Sequence, residues 1–442
     1  MNVKNKNRPG YKKTQLGWLP QGWSFSPLGE VLESSKYGCN APSAENGNTP
    51  VVGMKDIRDG RLVLSNLARV NLTEGDQSRF LLEPGDVLIN RTNSYDLVGK
   101  VGIFDSSDKV AFVSYLVRLR GQREMLNQQF LSFWLNSFAG RKSIKRIATK
   151  GVSQANVNPT ELRKQCRLAL PPLPEQEAIA GVLECWDRAI RAYEKKIEKK
   201  RNVKKGLMQA LLSGKIRLPG FGTTENTEGH GKGRGGIPEG WKEVRLRKLC
   251  SLSKKKYQPN EQEDLKCLEL EHIEKGTGRI IGYTSSSAQS SMKTRFKPGS
   301  ILFGKLRPYL QKFARPQFAG VCSTEIWALL PNEREVSGDF LFWLVQSGRF
   351  NAAANVTSGS KMPRADWRHL SSCVFLLPTI CEQQGMASLL SAADAEISTL
   401  ERKLVVLKDQ KRFLLNNLVT GTIRLPEFCN HGTYGIARKW EA

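Results

Sequence analysis

Two segments of the chain repeat each other at a fixed interval, so whatever they fold into must occur twice. Glu175-Gln176, Ile179-Ala180, Val182-Leu183 and Ser213-Gly214-Lys215-Ile216-Arg217-Leu218-Pro219 recur 207 positions on. The second copy reads Glu382-Gln383, Met386-Ala387, Leu389-Leu390 and Thr420-Gly421-Thr422-Ile423-Arg424-Leu425-Pro426. Upstream the repeat continues with a drifting interval. Pro20-Gln21-Gly22-Trp23 matches Pro238-Glu239-Gly240-Trp241, Ile57 and Gly60 match Ile273 and Gly276, and Pro84-Gly85 and Leu88 match Pro298-Gly299 and Leu302. Each copy is therefore about 150 residues of variable sequence followed by about 45 that change little.

The constant parts read as long helices. Apolar residues fall at 179, 182, 186, 190, 193, 197, 207 and 211, and again at 386, 389, 393, 397, 400, 404, 407, 414 and 418. Steps of three and four sustained this far describe a coiled-coil seam. Pro174 and Pro378 stand at the starts, and Gly214 and Gly421 suit the ends. The variable parts mix β-type runs (Gly85–Asn90, Val110–Leu119, Ser300–Gly304, Ile326–Leu330) with helical patterns at Leu126–Phe138 and Asp339–Ala353.

The expected fold is therefore α+β: two globular domains separated by two long coiled-coil helices, with an internal pseudo-twofold repeat. The expected boundaries are 1–15 a basic extension, 16–172 the first domain and 173–219 the central helix. Residues 220–236 then form a flexible linker, 237–377 the second domain, 378–426 the C-terminal helix and 427–442 a tail. The linker holds Gly231-x-Gly233-x-x-Gly236, but no strand leads into it and no helix opens from it, so it is not a dinucleotide fingerprint.

Charge points to the partner. There are 68 Lys+Arg against 42 Asp+Glu, a net charge of +26, which favours a polyanion and nucleic acid first. An apolar fraction of 39% with 18 Phe and 9 Trp can build real cores. No apolar run approaches the roughly 20 residues that span a bilayer, so no membrane is expected. The nine Cys are scattered, odd in number and without a C-x-x-C, which suits a reducing cytoplasm rather than a disulfide frame or zinc site.

Catalytic constellations are hard to find. All four His (230, 272, 369 and 431) lie in the second half, so no His-based mechanism can be common to both copies. Gly99-Lys100, Gly214-Lys215 and Gly304-Lys305 lack the Ser or Thr of a P-loop. Glu194-x-Lys196 and Glu198-x-Lys200 fit a solvated helix face, and Asp86 becomes Ser300 in the other copy. The sequence argues against an enzyme and against a resident metal or cofactor.

Duplicated domains suit a split target. Specific readers of DNA need Arg or Lys for guanine and Asn or Gln for adenine. In the first variable part the candidate DNA contacts are Lys36, Tyr37, Lys55, Arg58, Arg91, Asn93, Tyr95, Lys150, Ser153 and Gln154. In the second they are Lys254, Lys255, Tyr257, Lys305, Arg307, Tyr309, Ser360, Lys361 and Arg364. These clusters recur at matched positions and differ in content.

Variable domain, constant helix, variable domain, constant helix resembles the specificity (S) subunit of a Type I restriction–modification system. The residues that carry the likeness are Leu170-Pro171-Pro172-Leu173-Pro174-Glu175-Gln176 with Ile179-Ala180, and Lys204-Lys205-Gly206-Leu207-Met208-Gln209 through Arg217. The Pro-x-Gly-Trp openings and Asp56-Ile57-x-x-Gly60 add to it. The sequence departs at Thr379-Ile380-Cys381, one residue longer before Glu-Gln than the first copy. The resemblance implies double-stranded DNA as ligand, each variable domain reading one half of a bipartite asymmetric site. It implies that the variable domains are two target-recognition domains separated by two long antiparallel coiled-coil helices, which set the half-site spacing and carry two methyltransferase subunits, with restriction subunits joining through these. S-adenosylmethionine, ATP and Mg would then sit on the partner subunits only. The subunit interface would fall on Glu175, Gln176, Ile179, Trp186, Tyr193, Glu382, Gln383 and Met386. The alternatives are a stand-alone bipartite DNA-binding protein, a divergent nuclease, or an RNA binder, for which no aromatic RNP-type strand is evident.

Overall fold

The computed structural model describes residues 9–152, 154–221, 237–259, 263–358 and 362–429. The expected linker beyond residue 221, the tail beyond 429 and the first eight residues lie outside that set, as do Ser153, Ser360, Lys361, His230 and His431. The chain forms two compact units, one of residues 1–193 and 403–442, the other of residues 194–402. These are wider than the segments 16–172 and 237–377, because each draws part of both long helices into its own core.

In the first unit, Ser24–Pro27 pairs antiparallel with Arg167–Leu170, closing the two ends of the variable segment on each other. The central sheet has six strands in the order Leu32–Tyr37, Leu116–Gly121, Val87–Asn90, Val101–Ile103, Arg61–Leu62, Ile57–Arg58. Val87–Asn90 is buried at every position, which explains its unbroken apolar run on a strand covered on both faces. The expected strand over 110–119 is two strands, Ala111–Phe112 in a smaller sheet and Leu116–Gly121 in the central one.

The expected helix over 126–138 ends earlier. Asn127 caps Gln128–Asn136, and Ser137 accepts from Gly140 N to start a new helix, Phe138–Ile147. The second unit breaks its helix the same way, with Ser337 capping Gly338–Leu344 and Ser347 capping Gly348–Ala354. Its central sheet repeats the first four strands in the same order: Cys250–Leu252, Ile326–Pro331, Ile301–Gly304, Phe313–Ala314.

The long helices are Leu173–Leu212 and Ile380–Leu418. At 1.5 Å per residue each is about 60 Å long. Within each unit their segments run antiparallel. In the first, Lys411 reaches Asp187 at 2.7 Å; in the second, Lys204 pairs with Asp394 and Lys200 with Glu396 at 2.9 Å. Lys204–Asp394 and Lys411–Asp187 occupy the same repeat positions with the helices exchanged. The apolar seam is real but shifted in places: Ile179, Leu183, Ile190 and Ile197 are buried, as are Met386, Leu390, Ile397 and Leu400, whereas Leu389 faces solvent.

The repeated Glu-Gln pair ties each unit together. Glu175 is fully buried, taking a bond from the Trp23 indole at 2.9 Å and both arms of the Arg424 guanidinium at 2.7 and 2.8 Å. Glu382 does the same with Trp241 at 2.9 Å and Arg217 at 2.7 and 3.0 Å. The hydrogen bond to Glu175 is the main cause holding Arg424 above its ordinary pKa, and Glu382 does this for Arg217. Gln176 accepts from Asn127 N and donates to the carbonyls of Met125 and Pro171, each at 2.9 Å. Gln383 accepts from Ser337 N and donates to the Glu335 and Pro378 carbonyls.

The glycines after the helices permit this closure. Gly214 (φ 72°) and Gly421 (φ 66°) are left-handed, and a Cβ there would come within 2.4 Å of Pro238 and 2.5 Å of Pro20 respectively.

This geometry corrects the expected partner interface. Glu175, Gln176, Glu382 and Gln383 are buried and bonded inside the chain, and Ile179 and Met386 lie in the two apolar cores. None of the six offers surface to another subunit. Trp186 and Tyr193 remain partly exposed.

Replacing Arg424 with Ala leaves a buried carboxylate with only the Trp23 indole. The expected loss is about 3–5 kcal/mol of unfolding free energy. The exposed Arg412–Asp409 pair is the comparison, where Arg412→Ala should cost less than about 1 kcal/mol. Urea unfolding of the two variants measures the difference; equal losses would show that the clamp contributes nothing special.

Candidate nucleic-acid interface

Most of the basic and polar candidates of the first unit gather at one end of its central sheet. Lys36 and Tyr37 end the edge strand Leu32–Tyr37, and Arg91 follows Val87–Asn90. Thr92–Asn93 then pairs with Ala155–Asn156, which pairs with Thr149–Lys150 in a small three-stranded sheet. Backbone bonds from Arg91 N to Tyr115 O and from Val157 N to Arg91 O fasten Arg91 between these pieces.

The side chains form two cation–aromatic groups. The Arg91 guanidinium lies over the Tyr37 ring at 4.9 Å, with Nε toward Asn156 Oδ1 at 3.4 Å. Lys150 sits over Tyr95 at 4.0 Å, and Lys145 approaches the same ring at 5.1 Å. Tyr37, Tyr95 and Tyr115 are all exposed, which is unusual for large aromatics without a ligand. Lys36, Lys150 and Gln154 are exposed beside them, while Asn93 is half-buried.

Lys55, within the short helical turn Met54–Asp56, and Arg58, on the strand Ile57–Arg58, are exposed. Asp56 itself is buried, its carboxylate accepting from Gly53 N; the matched His272 accepts from Glu269 N through Nδ1. The histidine thus has a local structural role. Asp86, the carboxylate weighed for metal chemistry, is buried and held by both arms of Arg120 at 2.5 and 2.9 Å. Among the described residues no cluster of His, Cys, Asp and Glu is placed to hold a metal ion.

The second unit carries the same frame with different contents. Lys305 N bonds Glu325 O, and Ala365 N bonds Lys305 O, the counterparts of the Arg91 bonds. Lys305 is half-buried, Arg307 and Tyr309 are exposed, and Arg307 takes a left-handed conformation (φ 52°) ahead of Pro308. Lys254 and Lys255 are exposed beyond the strand Cys250–Leu252.

Two expected contacts change. Tyr257 is buried at 4% exposure, its hydroxyl donating to Glu263 O at 2.7 Å and lying 3.2 Å from Ser286 Oγ, so it is a packing residue and not a DNA contact. Arg364 is engaged by Glu325 through Nε at 2.9 Å and Nη2 at 3.2 Å, a bond that also raises its pKa.

Sequence reading passed over Lys145, Tyr115 and Asn156. The first stands on a helix and the second before a strand, and only folding brings them to the patch. Asn156 was legible as the end of the loop beginning at Lys150.

Comparison with known proteins agrees with this architecture. Residues 20–200 match the family described as Type I restriction modification DNA specificity domain. A putative type I restriction enzyme MjaX specificity subunit of Methanocaldococcus jannaschii is 24% identical over 421 residues, covering 94% of this chain and 97% of that protein. The EcoDI specificity subunit of Escherichia coli is 24% identical over 411 residues, covering 88% and 85%. A solved chain from work on complex assembly and conformational transition of the type I R-M system shares the fold, with TM-score 0.55, 18% identity and coverage of 92% and 99%. The chain is thus similar, along nearly its whole length, to Type I restriction enzyme specificity subunits. No described helix is long and apolar enough to cross a membrane.

Converting Tyr257 to Phe tests the correction made above. The variant should lose about 1 kcal/mol of stability and keep its affinity for DNA. A selective fall in DNA affinity with unchanged stability would return Tyr257 to the interface.

Proposed function

We propose that each unit reads one half of a bipartite, asymmetric site in double-stranded DNA. The observation that carries this is the matched sheet end. The backbone bonds are the same in both units, yet Arg91, Tyr115 and Asn156 in one stand where Lys305, Glu325 and Arg364 stand in the other. Equal frames with unequal side chains suit two half-sites of different sequence. The cations around each patch supply salt-sensitive affinity for phosphate.

The two long helices set the separation of the half-sites. They also carry two methyltransferase subunits, through which restriction subunits join. Val405, Val406 and Phe413 on one unit's helix surface and Val203 on the other's are solvent-exposed apolar side chains, which favours a scaffold over a stand-alone binder. S-adenosylmethionine, ATP and Mg belong to the partner subunits, and the assembly works in the cytoplasm.

Methylome sequencing of cells with the chain and its methyltransferase partner should show an asymmetric motif in two parts. A continuous or palindromic motif would overturn the proposal. Removing one heptad from each helix, between Asp187 and Lys200 and between Glu396 and Lys411, shortens the pair by about 10 Å. The spacer should contract by about three base pairs; an unchanged spacer in a folded variant would sink the ruler role.

A further inference from the structure

We infer that Arg91 reads a guanine in the half-site taken by the first unit, with Tyr37 and Asn156 holding its guanidinium in the reading orientation. The inference rests on that unit being a DNA half-site reader and adds the base and the residue that selects it.

Guanine is distinguished in the major groove by two neighbouring acceptors, N7 and O6, and a planar guanidinium can donate to both at once. Such a contact discriminates only if the plane is fixed beforehand, because a freely rotating arginine grips phosphate as readily. At Arg91 two contacts fix it. The guanidinium lies over the Tyr37 ring, with Cζ 4.9 Å from its centroid, so the ring backs one side of the group. Asn156 Oδ1 accepts from Nε at 3.4 Å and sets the rotation within that plane. The edge formed by Nη1 and Nη2 is left over, and among the described residues no carboxylate pairs with it. The backbone beneath is fastened by bonds to Tyr115 O and from Val157 N.

The surroundings separate base from phosphate contact. Arg91 is half-buried, whereas Lys36, next to Tyr37, and Lys150, on the strand paired with Ala155–Asn156, are exposed. A half-buried, oriented arginine flanked by exposed cations matches the division between reading and positioning contacts. Exposed Tyr95, braced by Lys150 and Lys145, adds a flat surface at the same end of the sheet.

The second unit provides the contrast. Its Arg364, at the repeat position of Asn156, has Nε and one Nη engaged by the Glu325 carboxylate. That guanidinium is paired to a carboxylate, which Arg91 is not among the described residues. At the repeat position of Arg91 itself the second unit has Lys305, a point charge without a planar two-donor edge, so the Arg91 arrangement belongs to one half-site.

The test uses the full chain assembled with its methyltransferase partner and a library of random duplexes. Wild type should select a bipartite motif with a guanine in one half. Arg91→Ala should lose the preference at that single guanine and keep every other position. Placing 7-deazaguanine there removes N7 and should weaken wild-type binding about 10- to 100-fold, with little effect on Arg91→Ala. Tyr37→Leu, which keeps the arginine but removes its platform, should blunt the same preference, and Tyr37→Phe should restore it, so the inference stays testable if Arg91→Ala folds poorly. The guanine assignment falls if Arg91→Ala weakens all sequences alike, if the lost position is not guanine, or if both Tyr37 variants select the wild-type motif. In each of those outcomes a bipartite wild-type motif still stands, so the functional reading survives. A wild type that selects no two-part motif overturns both.

Discussion

Two buried carboxylates hold this protein together. Glu175 and Glu382 are each shut away from water, and a buried charge is tolerable only when it is paired and fully bonded. Each finds the same three donors, an indole N–H and two guanidinium arms. The indole comes from the start of the same repeat, and the arginine from the end of the other. The start of a variable segment, the start of its helix and the end of the opposite helix must therefore be in place together. That requirement accounts for the repeated Pro-x-Gly-Trp, Glu-Gln and Gly-x-Ile-Arg-Leu-Pro motifs in one stroke. The glycine lets the chain turn back against proline, and the arginine three residues on completes the clamp.

With the frame held in this way, the far end of each central sheet is free to vary. The strand order and the backbone bonds that fasten Arg91 and Lys305 are shared, so the side chains there differ between the units while the frame stays the same. The exposed tyrosines of the first unit are stacked against cations rather than buried, which keeps them at the surface at little cost in order. In the second unit the corresponding place holds a Glu325–Arg364 pair. The net charge of +26 is thereby divided between two differently decorated patches and the charged faces of the helices.

Much of the fold was legible before any coordinates. The repeat interval and the helical periodicity located both long helices, with starts within two residues, but the segments 173–219 and 378–426 run past the helix ends at Leu212 and Leu418, where the glycines turn the chain. The interior of the variable segments was less legible. Helical patterns at 126–138 and 339–353 concealed the serine caps at Ser137 and Ser347, since a Ser between apolar residues also fits an unbroken helix. Tyr257 looked like a surface aromatic among lysines, and only the positions of Glu263 and Ser286 turn its hydroxyl inward.

The sequence by itself determined that the chain is a duplication, that it presents a strongly basic surface, and that it follows the plan of a specificity subunit. Tertiary structure alone decided what the most regular residues do. Glu175 and Gln176 read as an exposed, repeated polar motif at a helix start, the usual mark of a partner surface. Their true partners are Arg424, 249 positions away, and Trp23, 152 positions away. No local pattern encodes a bond across that distance; burial and pairing are properties of packing, and they exist only once both ends of the chain have met.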